Sequence, residues 1–174
     1  MMFVAHDVLL DIAFGVARPR LVSLASSRAL VDASRAAYQE GLVSLIRAGA
    51  ASGPAEPELT TRLAQVRFLP PVERAHTTTV GLRWEATGLS AGLFPVLDAD
   101  ITLAAAGEQT TTLTLSGVYR TAAEAAALLG APVPDAVAGG GALAVSPAEA
   151  GLMGDIAVRA LLRYAVGHLT GSIK

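Results

Sequence analysis

The chain contains no cysteine, which excludes a disulfide framework, a zinc–thiolate centre and a thiol nucleophile. The same absence fits a reducing compartment. Charge is sparse: 16% of the residues are Asp, Glu, Lys or Arg, and the formal net charge is −2. The 13 Lys and Arg residues are scattered, so no face for a polyanion is expected and nucleic acid is not an expected partner. Long apolar runs are missing too. Nothing approaches the about 18 uninterrupted apolar residues of a spanning helix. The apolar N-terminus, Met1 to Val16, has no basic leader and is interrupted by His6, Asp7 and Asp11, so it reads as part of the fold rather than a signal peptide. The expected location is the cytoplasm.

Catalytic and cofactor motifs are equally scarce. The serines have no nucleophile-elbow context. Gly139-Gly140-Gly141 lacks the Lys-Ser/Thr of a phosphate loop and follows no clear strand. His6, His76 and His168 lie far apart, none with a second histidine or a carboxylate at metal-ligand spacing. No catalytic residue, metal or cofactor is assigned on these grounds, and an enzyme is not the leading expectation.

What is present is enough for one folded unit. At 174 residues, with 52% apolar, the chain fits a single domain spanning 1–174 with a core of its own. Much of the apolar share is alanine, which adds helix propensity more than core volume.

Hydrophobic period assigns the elements. Val8, Leu10, Ile12 and Phe14 share one parity against Asp7, Asp11 and Ala13, which predicts a strand over Phe3 to Phe14. Arg18-Pro19 then breaks the strand and starts a short helix through Leu21, Val22, Leu24 and Ala25. Ser26 or Ser27 caps a second helix, Arg28 to Ala48, whose stripe runs through Leu30, Val31, Ala37, Tyr38, Leu42, Leu45 and Ile46. Gly49 to Pro57 is a loop. Strands follow at Leu63 to Leu69, Glu73 to Thr87, Phe94 to Ala105 and Thr110 to Arg120, with Pro70-Pro71, Gly88 to Gly92 and Gly107-Glu108-Gln109 as the breaks. Short turns between consecutive strands predict an antiparallel meander. Thr121 to Leu129 adds a helical turn or two, and Gly130 to Pro147 is a long Gly/Pro connection. The last element, Ala148 to Leu169, is a helix whose polar residues Asp155, Arg159 and Arg163 form one narrow stripe, with His168 near its end. A helix so apolar around its circumference must be surrounded on most sides, and a curved sheet would do that.

The order is strand, two helices, meander, long helix. With Leu82-Arg83-Trp84-Glu85-Ala86-Thr87-Gly88, Leu93 to Asp100 and Leu113 to Arg120, it resembles small bacterial members of the START-like, polyketide-cyclase and Bet v 1 (helix-grip) superfamily. The resemblance implies an α+β fold: a curved antiparallel sheet wrapped around the C-terminal helix, with a cavity between them for an apolar or amphipathic ligand. It also implies six strands after the helices, where the pattern shows four.

On that reading the ligand-binding wall comprises Leu82, Trp84, Ala99, Ile101, Leu113, Leu115 and Tyr119 from the strands and Leu161 and Tyr164 from the last helix. His76 shares the parity of Val80 and Trp84 and joins them. Packed core is the ordinary alternative for each aromatic residue. Asp98 and Asp100 share one strand face, but the opposite parity is apolar, so cross-strand ion pairing with Arg83 explains them better than acid–base work. The leading expectation is a carrier or sensor of a small apolar ligand. The alternatives are a cyclase or aromatase-type enzyme on a polyketide-like substrate, and an interaction module whose exposed sheet edge supports a homodimer.

Overall fold

The computed structural model describes residues 2–47, 64–86, 96–120, 124 and 147–172. The elements are β1 (Met2–Leu10), α1 (Phe14–Ala25), α2 (Arg28–Arg47), β2 (Ala64–Phe68), β3 (Val72–Glu73), β4 (Thr77–Ala86), β5 (Val96–Ala105), β6 (Thr111–Arg120) and α3 (Pro147–Thr170). All strand pairings are antiparallel, in the order β1-β6-β5-β4-β2, with β3 also on β4. The sheet curves around α3, which packs on β1 and β6, while α2 runs beside α3 and reaches β2. This is the expected α+β arrangement.

Alternation builds the wall as expected. Val80, Leu82 and Trp84, then Leu97, Ala99, Ile101 and Leu103, then Leu113, Leu115 and Tyr119 are buried. Met153, Ala157, Val158, Leu161, Leu162, Ala165 and Leu169 fill the space from α3. Each leucine so buried contributes about 1.5–3 kcal/mol.

Three boundaries differ from expectation. The first strand ends at Leu10, not Phe14, and Phe14 opens α1. The Thr111 hydroxyl donates to the Ile12 carbonyl at 2.7 Å and pins the bend, while the Ala13 carbonyl accepts from Val16 and Ala17 to begin the helix. Ile12 and Phe14 continued the alternation by coincidence. Pro19 lies inside α1 rather than before it. It forfeits only its own bond to the Gly15 carbonyl, and Gly15 is exposed, so water can replace that donor. Finally, the stretch after Pro71 splits. The Arg74 amide donates to the Thr77 carbonyl at 2.8 Å, so Val72–Glu73 folds back on Thr78–Thr79 as β3. Among the described residues this makes five strands after the helices instead of four.

Ser27 is the cap: its hydroxyl donates to Leu24 at 2.7 Å and accepts from the Leu30 amide at 3.3 Å. The Arg20 guanidinium donates to the Leu169 carbonyl at 2.5 Å, setting a positive charge at the C-terminal end of α3. The expected helical turns at 121–129 and the Gly/Pro connection lie outside the described residues, apart from Glu124 and Pro147.

Candidate functional site

Register arranges the inner wall in rows. One row runs Val66, Trp84, Leu97, Tyr119, Met2 across five strands. The next is Phe68, Leu82, Ala99, Gly117, Val4, and the third is Val80, Ile101, Leu115, His6. Leu82, Trp84, Ala99, Ile101, Leu113, Leu115 and Tyr119 therefore share one face, as the sequence implied, and Leu161 of α3 joins the same buried cluster. Tyr164 is half-buried, packs against that cluster and stacks on His168, with ring centroids 6.5 Å apart and 20° between planes. One expected member is elsewhere: His76 lies in the bend before β4 and is exposed, because parity cannot be counted through the turn at Arg74–Thr77.

The wall has two characters. Ile101, Leu113, Leu115 and Leu161 have no exposure at all and pack in one cluster with Leu21 and Leu24 of α1. The row of Trp84 and Tyr119 is aromatic and carries polar atoms. Tyr38 of α2 meets Trp84 edge to face, centroids 6.1 Å apart and planes at 74°. The Tyr119 ring lies against Gly154 of α3, where an added Cβ would run into it. Where α2 meets α3, a Cβ on Gly41 would fall 2.6 Å from the Met153 carbonyl oxygen. Glycines thus let three layers close around the aromatic row.

The Trp84 indole Nε1, the Tyr119 hydroxyl and the Ser34 hydroxyl are buried with no hydrogen-bond partner among the described residues. A buried polar group left unsatisfied costs about 1–3 kcal/mol, so these atoms need an explanation. Burial pushes the Tyr38 phenol far up, and burial followed by the neighbouring Tyr38 does the same for Tyr119. Both phenols stay protonated, and Tyr119 is a neutral donor. The sequence stripe contained Tyr38 as core. Ser34, one helical turn before it on the same face, is a polar residue that the apolar stripe does not include.

Other polar groups sit on the outside. Asp98 pairs across strands with Arg83 at 3.4 Å and with Arg120, the cross-strand pairing expected for that face, and Arg83 also reaches Glu85 of its own strand at 3.1 Å. A groove of about 510 Å³ crosses this outer face between Phe3, Leu69, Gly81 and Val118. At the β1 edge the fold joins residues 149 positions apart: His6 Nε2 lies 2.5 Å from Asp155 Oδ1. Burial alone would raise the Asp155 carboxyl, but hydrogen bonds from His6 and Arg159, with the Arg159 charge, hold it below its ordinary value.

No group of three or more His, Cys, Asp or Glu that could hold a metal occurs among the described residues. Among them, too, no helix is long and apolar enough to cross a membrane. The letters Gly88-Leu89-Ser90-Ala91-Gly92 spell Gly-x-Ser-x-Gly, against the expectation that the serines have no nucleophile-elbow context; they lie outside the described residues.

A curved antiparallel sheet closed around a long C-terminal helix, with two helices after the first strand, defines a helix-grip-like α+β protein. No protein-family model matches the chain, and no curated protein matches it. Among solved structures it is similar to the Zhui aromatase/cyclase from Streptomyces sp. R1128, at 13% identity, over 95% of this chain and 94% of that one, with a TM-score of 0.29. A likeness at that score assigns no activity to this chain.

Proposed function

We propose that the protein binds a small amphipathic molecule, apolar in body and bearing hydrogen-bond acceptors, at the Trp84–Tyr119 end of the interface between sheet and α3. The supporting observation is the pair of buried, unpartnered donors, Trp84 Nε1 and the Tyr119 hydroxyl, with the Ser34 hydroxyl also buried and unpartnered among the described residues. An indole N–H can only donate, and a phenol held protonated donates first, so the complementary ligand group is a carbonyl or ether oxygen. Leu82 and Ala99 in the next row supply apolar contact. The element order supports placing the chain in the START-like superfamily.

A second reading rests on the same phenol. Tyr119 holds a proton it can share with a ligand carbonyl, which favours a cyclase-type enzyme if the bound molecule also reacts.

The test uses Trp84, the one tryptophan of the chain. Titration of the full-length protein with the neutral dye Nile red should saturate and shift Trp84 emission. Tyr119→Phe should weaken binding roughly tenfold, the loss of one buried hydrogen bond. Absence of saturable binding, with Trp84 emission unmoved, overturns the reading.

A further inference from the structure

Among the described residues β1 ends the sheet on one side and pairs only with β6, so one row of its backbone N–H and C=O groups has no described strand beside it. It is unusually undefended. All nine residues pair with β6 in unbroken register, with no bulge. The segment Met2–Leu10 contains no proline and no lysine, the usual means of blunting an edge. Its outward residues include Phe3, 70% exposed, and Leu9, 61% exposed. An open edge of this kind takes another strand, and the pattern of β1 shows which.

We infer that β1 pairs antiparallel with β1 of a second copy of this chain, centred on His6, joining two sheets into one. A two-fold axis normal to the sheet keeps inner faces together, so opposed residues must have the same parity. Centred on His6, Phe3 meets the partner's Leu9 and Leu9 the partner's Phe3, covering both exposed side chains on the outer face. Ala5 meets the partner's Asp7. On the inner face Met2 meets the partner's Leu10 and Val4 the partner's Val8. Every large apolar residue of the strand finds an apolar one. The neighbouring registers fail: centring on Ala5 sets Phe3 against Asp7, and centring on Asp7 sets the two Asp7 carboxylates against each other.

The helices fit the same axis. With strands about 4.8 Å apart and α3 astride β1 and β6, the two α3 helices come to about 10 Å, the spacing of packed helices. Asp155 touches His6 at 2.5 Å, so the axis passes beside it, and Asp155 carries Arg159 one turn on at 2.9 Å. The two His6–Asp155 pairs therefore meet at the axis, and each carboxylate keeps the Arg159 of its own helix as its counter-charge. Leu152 of α3, 49% exposed, lies one turn before Asp155 and is covered by the same approach.

Ala5 is exposed on the outer face, so it can be changed without disturbing the fold. Sedimentation velocity of the full chain at micromolar concentration should show a dimer. Ala5→Asp places like charges opposite Asp7 twice and should raise the dimer dissociation constant roughly tenfold. Ala5→Lys places opposite charges there and should leave the dimer as tight or tighter. Thermal melts following Trp84 emission confirm that each variant is folded. A wild-type chain that stays monomeric, leaving the edge to a foreign strand, overturns the inference. So does a dimer that both variants affect alike.

Discussion

The ring of Tyr119 in β6 rests directly on the backbone of α3 at Gly154, with no side chain between them. Helix propensity favours Gly154→Ala by about 1 kcal/mol. The clash opposes it, because the ring is only 1% exposed and has nowhere to turn. The clash should win: urea denaturation is expected to show a net loss of about 1–3 kcal/mol. Gly41→Ala, which meets the Met153 backbone oxygen at 2.6 Å, should lose stability by the same argument.

Tyr119→Phe should behave oppositely in the empty protein. It removes a buried hydroxyl that has no partner among the described residues, so stability should hold or rise by up to about 1 kcal/mol while dye binding weakens. Urea midpoints measured with and without dye separate the two effects.

Tyr38 and Tyr119 make the fold sensitive to base. Their folded-state values lie above the ordinary phenol value of 10.0. The neutral phenol is therefore the form the fold favours. Its contribution is fully present below pH 10.0 and declines as pH rises past that point, because the unfolded chain ionises first. Absorbance in the tyrosinate band should show Tyr38 and Tyr119 ionising only as the protein unfolds.

Asp155 works at the acid end. Its carboxyl is held below the ordinary value of 3.8, so its contribution is present above that pH and is lost as pH falls through the folded value. Asp155→Asn should lower stability at neutral pH by under about 1 kcal/mol, given the exposure of the pair. The gap from the wild type should close below about pH 4 as both side chains become neutral.

On the outer face, Asp98 balances Arg83 and Arg120. Asp98→Ala leaves two arginines side by side and should destabilise by about 1 kcal/mol, with less effect at high salt. A matched pair of thermal melts at low and high ionic strength checks both parts.

That ion cluster was legible in the sequence because it depends only on parity, and parity within one strand is local. The same holds for the buried faces of β4, β5 and β6 and for the apolar girth of α3. What failed depends on partners far along the chain. Ile12 and Phe14 alternate like strand residues, and the strand ends where it does because Thr111, 99 positions away, holds Ile12. His76 took its assigned direction from a count carried across a bend. Tyr38 belongs to the aromatic site only because α2 crosses over Trp84, and His6 has a partner only because α3 returns to β1. No local period encodes those meetings.

Because α3 is translated after the sheet it plugs, the strands exist for a time without their filling. Making the residues from 121 to 170 takes several seconds, about 3–10 s at about 5–20 residues per second. During that interval Trp84, Ile101 and Leu115 lack the cover of α3 and have only α1 and α2 to pack against. Nascent chains of this protein are natural clients for a chaperone until α3 leaves the ribosome, and a stop codon placed before residue 147 should yield an aggregate rather than a smaller domain.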